Sequence, residues 1–125
     1  MTEWRQSFRK MSDRFVITDE ARLLSSLGLA TKAGAAVIGV PLICEALKRK
    51  GEKAVKMVFE ASDSSDNTHK RITDRCAYYN VRHIRLGVDA ASLAAAVGKS
   101  SPVAAIAVTD ENICRLAEKY IRFAL

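Results

Sequence analysis

Cysteine is scarce in this sequence, and no two cysteines lie close together. Cys44, Cys76 and Cys114 are odd in number and form no C-x-x-C pattern, so neither a zinc site nor a disulfide framework is expected. Cys44 and Cys76 fall in helical runs, where a thiol most often packs as a small hydrophobic group. Because free thiols are typical of a reducing compartment, we expect a cytoplasmic protein.

Long apolar runs are missing as well. No stretch approaches the roughly 18 residues that a membrane-spanning helix needs, and the first residues lack the apolar core of a secretory signal. We therefore expect no membrane partner and no leader. The 125 residues, 49% hydrophobic and 27% charged, are typical of one globular domain with its own core.

Histidine, a frequent general base and metal ligand, occurs twice, as His69 and His83. The sequence places no Asp, Ser or Cys to orient either imidazole, and no metal-ligand spacing is present. Gly28 and Gly34 are not spaced as in a phosphate-binding loop. These absences predict a protein without catalytic activity, cofactor or metal, although a cluster assembled only by folding would not show in the sequence.

Positive charge, by contrast, is abundant. The net charge of +6 and the pI near 9.5 favour an anionic partner such as nucleic acid. Five cations against one acid, Glu52, give residues 48–56 a local net charge of +4: Lys48, Arg49, Lys50, Lys53 and Lys56. Such a cluster could contact phosphates without reading sequence. It could equally be a solvated helix end, where cations suit the negative pole of the helix dipole.

Residues 1–17 differ from the rest of the chain. Trp4, Phe8, Met11 and Phe15 recur at helical spacing with basic residues between them, which predicts a basic amphipathic extension attached to a domain of residues 18–125. Such a segment could lie on a membrane, on RNA or on a protein partner. Packing on its own domain or on a second copy of the chain is the simpler interpretation.

The remaining residues alternate between helical and strand patterns in the order α-β-α-β-α-β-α-β-α. Strands are predicted at residues 35–38, 55–59, 83–86 and 103–108. Helices are predicted to begin at Thr18-Asp19-Glu20 with a hydroxyl cap, at Pro41, at Ser62 to Asp66, at Asp89 and at Thr109-Asp110. The second helix is predicted to end in the three cations before Gly51, and the last helix is predicted to continue to Ile121. This alternation predicts a sheet between layers of helices.

A strand–glycine–helix junction connects the first strand to the second helix. Gly39 permits a sharp turn, and Pro41 suits the first helical turn, where its missing N–H would have no intrahelical partner. The remaining free N–H groups of such a helix start can receive phosphate oxygens or base edges. The junction is therefore a candidate anion-binding site.

Three groups of residues resemble a known family. They are Leu27 to Gly34 with Gly39 before a helix; Glu60 to Asp63 with Asn67-Thr68, Lys70 and Ile72 to Cys76; and Tyr78 to Val81 with Leu93, Gly98-Lys99 and Ala107 to Asp110. They are similar to the kink-turn-binding ribosomal protein superfamily of archaeal L7Ae-type and eukaryotic L30e-type proteins, and within it to the bacterial YlxQ-like branch. The likeness covers about residues 20–118.

This resemblance implies a three-layer α/β/α domain with a mixed four-stranded sheet and an RNA-binding edge. In the family, the start of the central helix enters the groove at sheared G·A pairs, and the loop before the last strand covers an extruded base. Carried over to this chain, the RNA contacts fall on Lys32, Gly39, Val40, Pro41, Leu42 and Glu45 and on Gly98, Lys99, Ser100, Ser101 and Pro102. Arg49, one turn beyond Glu45 in the predicted helix, is expected to add a phosphate contact and to pair with Glu45.

The junction also departs from the family pattern Gly-x-Asn-Glu-x-x-Lys. Pro41, Leu42 and Glu45 stand where the asparagine, the glutamate and the lysine are found. Because each lost bidentate base contact removes about 1–3 kcal/mol of discrimination, we expect weakened or altered kink-turn specificity. The sequence thus predicts a non-catalytic protein associated with ribosomal or other structured RNA. The alternative is a protein-interaction module that kept the fold and lost RNA binding, suggested by the apolar Pro41–Leu42 tip.

Overall fold

The computed structural model describes residues 15–123, and its strands form two sheets. In chain order the strands are β1 (Phe15–Ile17), β2 (Ala36–Ile38), β3 (Met57–Glu60), β4 (Arg82–Arg85), β5 (Ala105–Val108) and β6 (Ile121–Phe123). The central sheet has the order β2-β5-β3-β4. Strand β5 is antiparallel to both of its neighbours, whereas β3 and β4 are parallel. The four-stranded sheet is therefore mixed, as the resemblance implied.

Among residues 15–123, five helices surround this sheet, and four of them have a polar side chain at the N-cap. They are α1 (Glu20–Lys32), α2 (Val40–Ala46), α3 (Asp66–Tyr78), α4 (Ala90–Ala96) and α5 (Glu111–Glu118). The caps Asp19, Ser65, Asp89 and Asp110 each accept a hydrogen bond from the N–H of the residue three positions on, which satisfies one free donor of each first turn. At α1 the cap is the Asp19 carboxylate and not the predicted hydroxyl of Thr18. Within residues 15–123, no helix has the length and apolar character needed to span a membrane.

The helices form a layer on each side of the sheet. On one side, α1 and α4 contribute Leu23, Leu27 and Leu93 to a cluster with Phe59 and Ile106 of the sheet, and buried residues of α5 belong to the same cluster. Each of these side chains is fully buried, and burial of a Leu, Ile or Phe side chain stabilises the fold by about 1.5–3 kcal/mol. This cluster is the larger of the two.

On the other side, α2 and α3 pack Ile43, Ile72 and Cys76 against Val58 and Ala107. Successive residues of a strand point to opposite faces of the sheet, because side chains alternate along a strand. Phe59 thus belongs to the first cluster, and its neighbour Val58 belongs to the second. The predicted three-layer α/β/α architecture is confirmed.

Strands β1 and β6 form a separate two-stranded antiparallel sheet that the sequence analysis did not predict. Phe15 is opposite Phe123, and Ile17 is opposite Ile121. Phe15 had been included in a helical pattern, and Ile121 had been assigned to the last helix, which ends at Glu118. The rest of the predicted extension, residues 1–14, lies outside the described residues.

Helix α2 is shorter than predicted: it ends at Ala46 and does not include the three cations before Gly51. The N–H groups of Lys48 and Arg49 bond to carbonyls three residues back, at 3.2 and 3.0 Å, which is the tightened geometry of a helix end. Gly51 follows with a φ of 84°. The basic residues 48–50 therefore lie in a turn after the helix, and Arg49 does not continue the helical face of Glu45.

Candidate nucleic-acid interface

The glycine junction lies at the end of the sheet where three strands finish and β5 begins. The N–H of Gly39 donates to the carbonyl of Ala105 over 3.2 Å, and Glu60 is opposite Ala105 in the register of β3 and β5. The N–H of Leu86, after β4, donates to the carbonyl of Glu60 over 2.7 Å. We refer to this edge, marked by Gly39, Glu60, Leu86 and Ala105, as the junction end.

Gly39 has a backbone conformation that other residues rarely adopt. Its φ is 99° and its ψ is 140°, in a region that is essentially restricted to glycine. A Cβ atom placed there would meet nothing within 4 Å, so the backbone conformation and not lack of space requires glycine. The sharp turn predicted from the sequence is present.

Helix α2 is the one helix among residues 15–123 that begins without a side-chain cap. Gly39 has no side chain to accept a hydrogen bond, and Pro41 has no N–H to donate. The N–H groups of Val40 and Leu42 belong to the first turn and have no intrahelical partner. Leu42 itself is 61% exposed, so this helix start presents an apolar side chain to solvent beside backbone N–H groups that no side chain caps.

The second predicted feature, residues 98–102, forms an exposed loop between α4 and β5. Gly98 turns the chain at a φ of 75°, and the N–H of Lys99 bonds back to the carbonyl of Ala94 over 2.9 Å. The loop returns to the sheet at the junction end, where the carbonyl of Ala104 accepts a hydrogen bond from the N–H of Ala61 over 2.8 Å. Ser100, Ser101 and Pro102 lie between these two anchors and are exposed.

Lys32, also predicted to contact RNA, lies in the last turn of α1 and is exposed. It borders a shallow depression together with Gly28 and Ala96. A Cβ on Gly28 would lie 2.8 Å from the carbonyl oxygen of Ala96, so α1 and α4 pack too closely there for a side chain. Lys32 is thus next to the end of α4, from which the loop of residues 98–102 departs.

Glu45 and Arg49 do not form the predicted ion pair. The carboxylate of Glu45 lies 3.4 Å from the ammonium of Lys48 instead, because the helix ends before Arg49. Both partners are exposed, and such a pair contributes little to stability.

The basic cluster extends to the other end of the sheet. Its residues Arg49, Lys53 and Lys56 border a depression together with Gly34, Ala36, Glu52, Asp110 and Glu111. The N–H of Lys56 bonds to the carbonyl of Val108, the last residue of β5. We refer to this edge, marked by Ala36, Met57, Arg82 and Val108, as the opposite end. The structure therefore separates Arg49 from the junction, contrary to the contact predicted from the sequence.

A buried polar cluster near the junction end was not predicted. Glu60 is fully buried, and its Oε1 atom lies 2.6 Å from Nε2 of His83 and 2.8 Å from Nδ1 of His69. The hydroxyl of Ser64 donates to Oε2 of the same carboxylate. Burial alone would raise the pKa of Glu60, but the hydrogen bonds from His83, Ser64 and His69 outweigh it and lower the pKa to about 2.

The sheet register contains the signal that could have revealed this cluster. His83 on β4 is opposite Val58 on β3, and Glu60, two residues after Val58, points to the same face. Helix α3, which carries His69, packs on that face. The predicted strand stopped at Phe59, one residue before Glu60, so the alternation that brings Glu60 and His83 together was not visible.

The three thiols are free and buried, as predicted for Cys44 and Cys76. Burial raises the pKa of Cys76 to about 12 and that of Cys114 to about 11. Both groups are therefore protonated at neutral pH and are weak nucleophiles.

Comparison with known proteins gives consistent results. The model of the ribosomal protein L7Ae/L30e/S12e/Gadd45 family matches residues 21–117. The "RNA-binding protein YlxQ" of Bacillus subtilis is 35% identical over 86 residues, which are 69% of this chain and 81% of that protein. The protein of the same name from Enterococcus faecium is 30% identical over 100 residues, covering 80% and 91%.

Two solved structures share the fold. One, titled as a protein with unknown function from Bacillus halodurans, has a TM-score of 0.70 and 30% identity, covering 81% of this chain and 97% of that one. The Giardia lamblia 15.5kD RNA binding protein has a TM-score of 0.63 at 15% identity, covering 80% and 85%. The glycine junction, the loop before β5, the mixed sheet and the match over most of the chain agree: the chain belongs to the ribosomal protein L7Ae/L30e/S12e/Gadd45 family.

Proposed function

We propose that this chain is a non-catalytic, cytoplasmic RNA-binding protein that recognises structured RNA at the junction end. The observation that carries the proposal is the position of the Gly39 turn and the return of the 98–102 loop at one end of one sheet. Its relatives that are named RNA-binding proteins support the same function. The partner would be ribosomal RNA or another kinked RNA.

Recognition would depend on backbone and shape. The N–H groups of Val40 and Leu42 offer donors for phosphate or base oxygens, and Lys99 and Lys32 offer cations around the loop. Leu42, which is 61% exposed, offers an apolar surface for an unstacked base. Irregular RNA is generally recognised in this way, through splayed bases and phosphate contacts.

The side chains of this site predict altered kink-turn specificity. Pro41 and Leu42 have no donor or acceptor for a base edge, and each missing bidentate contact removes about 1–3 kcal/mol of discrimination. Glu45 adds a negative charge that would repel phosphate, although its pairing with Lys48 at 3.4 Å partly offsets this charge. We therefore expect binding to structured RNA with a small preference for a kink turn.

The test compares a kink-turned RNA with a control that lacks the sheared G·A pairs, at low salt. The wild-type chain is expected to bind the kink-turned RNA only slightly better than the control. The combined change Pro41→Asn, Leu42→Glu and Glu45→Lys is expected to raise the preference for the kink turn by at least about tenfold, since it restores the base-reading side chains.

The matched control is Glu52→Gln, which makes the same change of net charge at the opposite end and should leave the preference unchanged. Absence of binding to any structured RNA at low salt would refute the proposed function. A wild-type chain that already discriminates as well as the triple variant would show that the substituted residues are not what reads the kink.

A second candidate function is favoured by the exposure of Leu42. An apolar side chain at an uncapped helix start could contact a protein, and the basic residues 1–14 could contribute to the same partner or to a second copy of the chain. Under this alternative, a chain that begins at residue 15 loses self-association in sedimentation while its RNA binding is unchanged. Identical sedimentation of the two chains would argue against it.

A further inference from the structure

The cluster of Glu60, His69 and His83 has the composition of a metal site. One donor atom from each residue lies within 4.8 Å of the other two, and the three residues come from three different elements, β3, α3 and β4. These are the two histidines of the chain, and both imidazoles are aimed at one carboxylate oxygen.

We propose that Glu60, His69 and His83 bind one divalent transition-metal ion of the zinc class. Zinc takes imidazole nitrogens at about 2.0–2.1 Å and carboxylate oxygens at about 2.0–2.2 Å. Three protein ligands of the His₂Glu type leave a fourth position for water. Magnesium and calcium prefer oxygen ligands throughout, so this donor set selects against them.

The hydrogen bonds of the cluster already point the ligand atoms at one place. Nδ1 of His69 and Nε2 of His83 both donate towards Oε1 of Glu60, over 2.8 and 2.6 Å. If the ring proton moves to the other nitrogen of each imidazole, the same two nitrogens present lone pairs in the same directions. A cation among the three ligand atoms then replaces two donated hydrogens, and the two nitrogen–oxygen separations of 2.8 and 2.6 Å need to lengthen by only a fraction of an ångström.

The surroundings of Glu60 also suit a bound cation. Its carboxylate is fully buried, and a buried ionised group is costly unless it is paired or coordinates a metal. Ser64 donates a hydrogen bond to Oε2, the kind of outer contact that orients a ligating carboxylate. Oε1 remains directed at the two imidazoles.

Access to this site is through His69. Its side chain is 34% exposed, whereas those of His83 and Glu60 are 6% and 0% exposed. An ion could therefore enter from the surface of α3, and the water ligand would face the same side. A site of this kind links β3, α3 and β4 and makes no use of the uncapped start of α2 or of the exposed Leu42.

The experiment titrates the full chain with Zn²⁺ and with Co²⁺. We expect one ion per chain, perturbation of both imidazole signals in the NMR spectrum at one equivalent, and a higher unfolding midpoint. At a free Zn²⁺ concentration one hundred times its dissociation constant, the ratio of folded to unfolded chain rises about a hundredfold. With only two histidines in the chain, the imidazole signals are unambiguous.

The deciding variants are His69→Gln and its neighbour Lys70→Gln. His69→Gln removes a partly exposed ligand and should weaken Zn²⁺ binding by at least about tenfold, because even outer contacts of metal ligands contribute this much. Lys70→Gln changes the adjacent exposed position and should bind as the wild type does. Glu60→Gln, which keeps an oxygen acceptor but removes the charge, should also lose binding.

Two results would overturn the proposal. Equal Zn²⁺ affinity of His69→Gln and the wild type would show that the ion binds elsewhere. A thiolate-to-metal charge-transfer band in the Co²⁺ complex would assign the ion to a cysteine. If Glu60→Gln fails to fold, the comparison of His69→Gln with Lys70→Gln still decides, since both change side chains near the surface.

Discussion

The two ends of the central sheet differ in the groups that could contact a nucleic acid. The junction end has Gly39 in a restricted backbone conformation, an uncapped helix start and an exposed loop, with few charges. The opposite end has Arg49, Lys53 and Lys56, but Glu52, Asp110 and Glu111 border the same depression. The junction end thus has the special backbone conformations, and the opposite end has most of the charged side chains. Net charge alone therefore does not locate a binding site in this chain.

The largest difference in RNA affinity between the two ends is expected from a pair of glycine substitutions. Gly39→Ala and Gly34→Ala both place a side chain at a positive φ, 99° and 71°, with no atom within 4 Å of the new Cβ. Each should lower the free energy of unfolding by about 1–3 kcal/mol, the cost of such backbone strain. Only Gly39→Ala should also reduce RNA affinity in filter binding. Equal loss of affinity in both variants would remove the distinction between the ends.

Acid unfolding is expected to report on the buried carboxylate near the junction end. The pKa of Glu60 is lowered from 4.5 to about 2 in the folded chain, so its stabilising effect is complete above pH 4.5 and is lost as the pH falls towards 2. Glu60→Gln should flatten the stability profile in that window, measured by urea unfolding. Glu111→Gln, an exposed residue of the opposite end, should leave the slope unchanged. A wild-type slope in Glu60→Gln would contradict this assignment.

Salt dependence can determine which end contacts phosphate. If Lys99 contacts one phosphate, Lys99→Gln should reduce the slope of log affinity against log salt by about 0.7–0.9. Lys53→Gln removes the same charge at the opposite end and should leave the slope as it is. The reverse result would place the RNA backbone on the opposite end and would move the proposed interface there.

The smallest effect is expected at Glu45. Its carboxylate is exposed and paired with Lys48, so Glu45→Gln removes a weak repulsion and frees a cation. An exposed charge of this kind is worth about 0.2–1 kcal/mol, and RNA affinity should rise only a few-fold. A titration at two salt concentrations measures it, and a fall in affinity would mean that Glu45 makes a favourable contact.

The sequence predicted the five helices and the central sheet because each has local signals. Asp89 and Asp110 lie three residues before the N–H groups that they cap, and the apolar run before Asp110 marks a strand. The resemblance supplied what local patterns could not, namely the mixed sheet, and it suggested the role that we propose for the junction. Strands β1 and β6 were missed because three residues such as Phe15–Ile17 have no stable pattern until a distant partner, Ile121–Phe123, pairs with them.

The buried cluster was missed for a different reason. Glu60 and His83 come together only through the parallel register of β3 and β4, which no spacing along the chain encodes. The predicted position of Arg49 in helix α2 was wrong, because the end of this helix depends on how Ala46 and Leu47 pack in the core. The ends of helices and the register between strands are set by packing. Helix caps and the alternation of side chains along a strand can be recognised from residues that are close together in the sequence.

The pairing of β1 with β6 brings the two ends of the described chain next to each other. Phe15, the first residue of β1, is directly opposite Phe123, the last residue of β6, and residues paired across an antiparallel ladder lie about 5 Å apart. A short linker could join the two positions without moving either strand. The fold is therefore suited to circular permutation, with new ends opened in an exposed turn such as that of Gly51. A group fused before Phe15 and a group fused after Phe123 would therefore be attached at neighbouring points of the domain.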